Sequence, residues 1–355
     1  MKTEELYTIL RKGILAPSAD NLQPWKFKLF NNQVDLFLDP ERVKNFCDEG
    51  LLVPYLSAGA VIENIRVATT QTGYELSTSY LPIKTNPLWV ASLRFSEVKK
   101  ENHPHFENLS KRVTNRKFYK VSQKIDLFIY SKLSNIVESQ EGFKLLWLKK
   151  DQPAYSKLSR LLGKADQLRF ENERLHKELI ETLRFNRQAA EKTKDGLDLR
   201  TFEAGPGGNL LFKLARSWQR LKFLNTFGMS RLFNFYTQLQ MCTSQATGLI
   251  VAKSHEPVNY IVGGEVMEKT WHELTGFGLS IQPMEALPIF IINSNLTGDH
   301  NFDPKQKKKI EELKQKFLPL FGITNQSGLI FLFRIGYAEP ATAHSLRRPL
   351  EDFLL

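Results

Sequence analysis

Gly59-Ala-Val-Ile-Glu-Asn-Ile-Arg-Val-Ala-Thr-Thr-Gln-Thr-Gly-Tyr-Glu75 and Gly264-Glu-Val-Met-Glu-Lys-Thr-Trp-His-Glu-Leu-Thr-Gly-Phe-Gly-Leu-Ser280 repeat one pattern within a single chain. Gly59, Val61, Glu63, Thr70 and Gly73 stand opposite Gly264, Val266, Glu268, Thr275 and Gly278 at a constant offset, with no gap. Each copy reads as a buried helix. Val61, Ile62, Ile65 and Thr69 share one face of the first, and Val266, Met267, Thr270, Trp271 and Leu274 share one face of the second. Gly73 and Gly278 then fall where a helix end favours a left-handed residue.

Other runs pair at different offsets. The β-like stretch from Trp89 to Phe95 matches that from Leu329 to Gly336, and Trp25 to Phe30 matches Phe143 to Leu148 in character. Each half therefore reads helix, strand, helix, strand. The halves are expected at 1–105 and 106–355, parting in the polar stretch around Lys99-Lys-Glu-Asn-His-Pro-His105. Two like halves in one chain imply a fused dimer, an internal pseudo-dimer with its interface buried inside a monomer.

A helical insertion occupies about 151–250 of the second half. Tyr155, Leu158, Leu161, Leu162, Ala165 and Leu168 make one helical stripe in it, and Leu175, Leu179, Ile180 and Leu183 another. Asp195-Gly196 and Gly205-Pro-Gly-Gly208 read as turns. The lysine-rich stretch 305–316 reads as an exposed helix face.

At 355 residues, with 42% hydrophobic and 25% charged side chains, the composition is that of an ordinary globular protein of about two domains or one large one. A chain this long buries a core without staples. Cys47 and Cys242 are too few for a disulfide framework and lack a CxxC spacing, which fits a reducing, cytoplasmic setting. The first residues lack a signal-peptide pattern, and no apolar run approaches the roughly 18 residues of a membrane span. Lys and Arg number 49 against 38 Asp and Glu, a net charge of +11. That surplus suits a nucleic acid, an anionic membrane or an anionic ligand. No zinc-finger, RNP-type or basic-zipper pattern accompanies it, so nucleic acid is not expected.

Three clusters carry groups that could do chemistry. Ala16-Pro-Ser-Ala-Asp-Asn-Leu-Gln-Pro-Trp25 follows a short amphipathic helix and precedes a strand. Its prolines stiffen a loop bearing hydroxyl and amide groups, which suit the edge of a heteroaromatic ring. On the residues alone a plain helix-to-strand turn is the simpler reading. Lys111-Arg-Val-Thr-Asn-Arg-Lys-Phe118 sets Arg112 and Arg116 four apart around Thr114, either a fork for a phosphate or a solvated basic linker. The tail, with Arg334, His344, Arg347, Arg348 and Glu351, matters only if it converges with that fork. The seven histidines form no recognisable triad, and His103-Pro-His105 reads as a solvated loop rather than a metal site.

These clusters resemble the nitroreductase family of flavoproteins. That family carries R-x-S-x-R-x-F near a subunit's start, A-P-S-x-x-N-x-Q-P-W after it, a helix ending in G-L-x-x-x-P, and a basic tail. Here Arg112-Val-Thr-Asn-Arg-Lys-Phe118 is similar to the first, with Thr114 for Ser. Ala16 to Trp25 matches the second closely, Gly278-Leu-Ser-Ile-Gln-Pro-Met-Glu285 matches the third, and Arg347-Arg-Pro-Leu350 resembles the tail. The likeness covers most of the chain outside the insertion, and its layout most resembles the Acg-type branch with two such halves.

The resemblance implies an α+β (α/β) nitroreductase-like fold, duplicated in one chain, and FMN as cofactor, with NADH or NADPH as electron donor and a small organic acceptor. Arg112, Thr114, Arg116 and Arg347 would hold the phosphate, with Arg348 of the basic tail also binding the cofactor. Pro17, Ser18, Asn21 and Gln23 would approach the ring from the other half. Pro283, Met284 and Glu285 would lie by its reactive nitrogen, where the family uses a backbone N–H. No protein acid or base is required, so no catalytic residue is assigned.

Two departures sharpen this expectation. No R-x-S-x-R precedes Ala16, and Val137-Glu-Ser-Gln-Glu-Gly-Phe143 stands where a second A-P-S motif would be. Each half keeps what the other lacks, which leaves one complete site and an empty pseudo-symmetric one. The resemblance also admits another activity, FMN storage beneath a lid with little turnover. Residues 209–240 bear on it, being basic, free of acids and rich in Leu and Phe. They are open to three readings: helices packed on the core with basic edges, a lid, or a segment lying on an anionic membrane surface.

Overall fold

The computed structural model describes residues 1–43, 50–296 and 302–355; Cys47 lies outside them, and Cys242 is an exposed free thiol. Helix α1 (Thr3–Gly13) buries Leu6, Ile9 and Leu10, with Glu4 and Glu5 in its first turn and Arg11 and Lys12 in its last, as the helix dipole favours. Strands β1 (Trp25–Leu29) and β2 (Gln33–Leu38) follow as a tight hairpin. Helix α2 (Leu52–Thr72) ends on Gly73 at φ 86° and leads into β3 (Tyr74–Tyr80) and β4 (Trp89–Glu97). These strands form an antiparallel sheet in the order β1-β2-β4-β3.

The second half repeats this plan. After α3 (Leu127–Glu138) and β5 (Phe143–Lys149) comes an insertion that includes α4 (Pro153–Arg169), α5 (Glu173–Thr182), α6 (Gly205–Leu214), α7 (Trp218–Asn225) and α8 (Ser230–Thr243). Then follow β6 (Ala246–Ala252), α9 (Pro257–Gly276), β7 (Ser280–Pro283), α10 (Ala286–Leu296), α11 (Pro304–Phe321) and β8 (Gly328–Gly336). Their sheet order is β5-β6-β8-β7, again antiparallel. The insertion opens where the first half has only the β1–β2 turn. Its stripe from Tyr155 to Leu168 is buried along α4, and a small second core forms around Phe170, Phe212 and Phe233.

Each half therefore reads helix, strand, strand, helix, strand, strand, which corrects the shorter pattern expected from sequence. β6 is wholly buried, and a short continuous apolar run carries no period by which to tell strand from helix. β7 spans only four residues. Gly205 to Gly208 is not a free turn but the opening of α6. His103 and His105 are half-buried rather than solvated, and His105 Nε2 lies 3.1 Å from a Glu273 carboxylate on α9.

The halves meet where α2 crosses α9. Each helix packs on its own sheet, and the two touch backbone to backbone at Gly59 and Gly264, the residues that begin the repeated stretches. A Cβ added to Gly59 would sit 1.9 Å from the Ile261 carbonyl oxygen, and one on Gly264 would sit 2.1 Å from that of Leu56. Only glycine permits this approach. The tail ties the halves further, because Leu354 bridges Phe27 and the Leu355 N–H donates to the Phe27 carbonyl.

Candidate functional site

A cavity of about 990 Å³ opens between the halves. Pro17, Ser18 and Asn21 line it from the first half; Arg112, Thr114, Arg116, Pro283, Met284, Glu285, Arg347 and Arg348 line it from the second. Of the residues expected to meet the flavin, Gln23 alone is absent from its walls. Gln23 is fully buried behind the loop, where its Nε2 donates to the Lys194 carbonyl at 2.9 Å and its Oε1 accepts from the Arg348 N–H at 3.0 Å.

The loop between α1 and β1 is strained. Asp20, Asn21 and Gln23 take φ of 47°, 54° and 53°, a region that non-glycine residues seldom occupy. Side-chain bonds hold them there. Asn21 Nδ2 donates to the carbonyls of Gly196 and Leu346, both at 3.0 Å, and its Oδ1 accepts from Arg347 Nη1 at 2.8 Å. Ser18 Oγ accepts from the Gln23 N–H, which leaves its own O–H free to donate. The insertion and the tail thus clamp the loop in place.

Arg347 is the centre of that clamp. Its Nε donates to the Ile14 carbonyl, and its Nη2 to those of Leu15 and Ala16. Its Nη1 meets Asn21, Ser345 and Leu346. A guanidinium has five N–H groups, and these bonds engage every nitrogen. The sequence reading put Arg347 on a phosphate; in the structure its donors are spent on the loop. Burial, with Arg112 nearby, pushes its pKa down to about 9.

Arg112 stands on the other side of the same loop. Its Nη2 donates to the Leu15 carbonyl at 3.0 Å, its Nε lies 2.9 Å from Glu268 Oε1, and its guanidinium covers the Trp271 ring at 4.7 Å. Glu268 is fully buried on α9, and burial pushes its carboxyl up to about 7 against the pull of Arg112. Arg116 Nη1 donates to the Thr201 carbonyl, and its guanidinium lies over Phe202. Burial pushes Arg116 down to about 10, with Asp20 opposing. The segment runs beside β7, where Thr114 bridges Ile281 and the Asn115 N–H donates to the Ile281 carbonyl. Arg348 Nε pairs with Asp352, while its Nη1 is buried with no hydrogen-bond partner among the described residues.

At the far wall the Met284 N–H donates to the Leu332 carbonyl, and a Glu285 carboxylate oxygen accepts the Leu332 N–H at 2.5 Å. Pro283 has no N–H, so the Glu285 amide is the one backbone donor of the three that β8 does not engage. Burial pushes the Glu285 carboxyl up to about 8.

The sequence reading missed the wall supplied by the insertion. Phe170, Phe202, Phe212, Phe233, Tyr236 and Gln240 all face the cavity. Nothing in the spacing of these residues points to a site. Arg334, grouped with the tail in sequence, is fully buried and bonded to Gln282, Gln240, Ser244 and Lys117 outside the cavity wall.

No protein-family model matches the chain. Over 348 residues, 96% of its length, it is 22% identical to the uncharacterized protein MT1398 of Mycobacterium tuberculosis strain CDC 1551 / Oshkosh, of which it covers 47%. Over 94 residues it is 33% identical to a Mycobacterium tuberculosis protein named "Putative NAD(P)H nitroreductase acg", a match spanning 26% of this chain and 28% of that protein. Over that stretch the chain resembles a protein named as a nitroreductase. It spans about half the length, or less, of the curated relatives it matches.

Solved structures similar to this chain include the FMN and NADPH-dependent nitroreductase NfnB from sphigopyxis sp. strain HMH. That structure aligns at a TM-score of 0.40 and 12% identity, over 70% of this chain and 96% of that one. A nitroreductase with bound FMN from Bacteroides fragilis NCTC 9343 aligns at 0.35 and 9%, over 70% and 95%. The cavity is shared between the halves: the strained loop comes from the first, the arginines and the Pro283–Glu285 wall from the second.

Proposed function

We propose that this chain is an FMN-binding oxidoreductase with one flavin site between its halves. It would pass hydride from NADH or NADPH, by way of the flavin, to a small organic acceptor. The observation that carries this reading is the convergence of four segments far apart in sequence, 17–21, 112–116, 283–285 and 347–348, on one cavity. The residues present fit the group. The volume lies at the upper end of the roughly 300–1,000 Å³ of small-molecule and cofactor pockets. The donor set is cationic and hydroxylic, and it includes a buried Arg348 Nη1 without a hydrogen-bond partner among the described residues.

FMN bound there supplies the hydride transfer, and the protein supplies binding, orientation and electrostatics. Arg116, Thr114 and Arg348 would hold the phosphate, with Arg112 and Arg347 adding positive charge behind them. Pro17 and the free O–H of Ser18 would meet the ring, on a loop that Asn21, Gln23 and Arg347 keep in shape. The Glu285 amide would face the reactive nitrogen. Below about pH 8 the Glu285 side chain keeps its proton and adds no negative charge to that wall. The contact between α2 and α9 supports a monomer acting as its own pseudo-dimer.

A second reading, flavin storage with little turnover, is favoured by the wall that α6 and α8 place over the cavity through Phe212, Phe233 and Tyr236. The absorbance spectrum of the purified protein, followed by anaerobic NADH and then NADPH, separates the readings. A yellow protein with about one flavin per chain that bleaches on mixing supports turnover. One that stays yellow supports storage. Two flavins per chain would end the one-site proposal, and a colourless protein that takes up no added FMN would end both readings.

A further inference from the structure

The outward faces of α6, α7 and α8 are apolar where a water-facing helix is normally polar. Phe212, Leu221 and Phe233 point inward and are buried. On α6, Leu210 and Leu214 stand roughly 200° around the helix from Phe212 and are exposed. Phe223 is 64% exposed and Phe227 76%, and their rings touch each other at 5.4 Å. On α8, Leu232, Phe235 and Leu239 form an outward stripe at i, i+3 and i+7, with Phe235 60% exposed. A helix apolar on both faces is covered on both.

The charge on this region has one sign. Lys213, Arg216, Arg220, Lys222 and Arg231 are all exposed, and no acid occurs between Glu203 and Glu256. Among the described residues none of the five is in an ion pair. No helix of the described structure is long and apolar enough to cross a membrane.

We propose that this outer face of the insertion docks in the interface of an anionic lipid bilayer. The phenylalanines and leucines would enter the boundary between headgroups and acyl chains, while the five cations meet the headgroups. Self-association is disfavoured by the same composition, because an isologous contact would set these cations against their own copies, and the segment carries no acid of its own to pair with them. Each cation near such a surface raises partitioning roughly fivefold at low salt, an effect that salt screens. This docking is independent of the flavin reading, because it is measured on the protein with or without flavin.

The test is co-sedimentation of the full chain with phosphatidylcholine vesicles containing phosphatidylserine, and with phosphatidylcholine alone. The protein is expected to sediment with the first and not the second, and to be released in part by salt. Two surface variants, Phe223→Ser/Phe227→Ser/Phe235→Ser and Arg220→Glu/Arg231→Glu, should each lower partitioning at least tenfold with an unchanged circular dichroism spectrum. No binding to phosphatidylserine vesicles at low salt would overturn the proposal. So would undiminished binding by both variants, or a concentration-dependent dimer, abolished by the phenylalanine variant, in a protein that ignores vesicles. Binding of single-stranded nucleic acid with no binding of vesicles would overturn it as well.

Discussion

Gly59→Ala puts a methyl group where the Ile261 carbonyl lies. The new Cβ would stand 1.9 Å from that oxygen and 2.9 Å from the Gly264 Cα. An ordinary contact begins near 3.4 Å, so α2 and α9 must part by about 1.5 Å. Both obstacles are backbone, and no rotamer change relieves them. Overpacking typically costs about 1–3 kcal/mol, and a clash between two buried helices belongs at the top of that range. Replacing glycine by alanine inside a helix returns up to about 1 kcal/mol. A net loss of about 2 kcal/mol or more is expected in urea denaturation followed by circular dichroism. Flavin affinity should fall with it, because Arg112, Glu268 and Trp271 are arranged around α9. Gly264→Ala should behave alike, at 2.1 Å from the Leu56 carbonyl. The double variant should lose less than the two single losses combined, since the first methyl already separates the helices for the second. Gly207→Ala, with nothing within 4 Å of its Cβ, serves as control and should be neutral or slightly stabilising. A Gly59→Ala protein as stable as the control would refute the reasoning about how the halves meet.

Arg347→Lys keeps the charge but cannot reproduce a fork engaged at Ile14, Leu15, Ala16 and Asn21. A loss of about 2–4 kcal/mol is expected, with faster proteolysis between residues 14 and 24; a protein with native stability and protection would contradict the clamp. Arg116→Ala should weaken FMN binding by about 1.5–3 kcal/mol, read by fluorescence titration, and also cost some stability through the lost bond to the Thr201 carbonyl. For Glu285 the folded pKa is raised, so its contribution to stability is fully present below the unfolded value of 4.5 and is lost as pH rises through about 8. Glu285→Gln lacks that loss, and its melting temperature relative to the unmodified protein should climb between pH 5 and 9, by up to about 4 kcal/mol in stability; a pH-independent difference would count against a buried, protonated Glu285.

Much of the cavity wall was legible in the sequence, but what each side chain bonds to there was not. Arg112, Thr114 and Arg116 read correctly as neighbours because they are four residues apart on one segment. That Arg347 spends its donors on three carbonyls of the loop could not be read, since those carbonyls lie more than 300 positions away in sequence. The same holds for Gln23. Its type was noticed, but its orientation follows from a left-handed backbone that is stable only once Lys194 and the tail are in place.

What the sequence determined alone was local and periodic. Helical stripes over 61–69 and 266–274, glycine ends at 73 and 278, and the constant offset between the two stretches all follow from side-chain spacing along one element. A duplicated α+β layout follows from them. What only the tertiary structure decided was long-range. It set the strand count, because β6 and β7 carry no period. It added the aromatic wall from the insertion. It also brought Gly59 against Gly264, which makes two repeated helices into one interface. These features depend on contacts between distant residues, and such contacts leave no mark on the spacing within either partner.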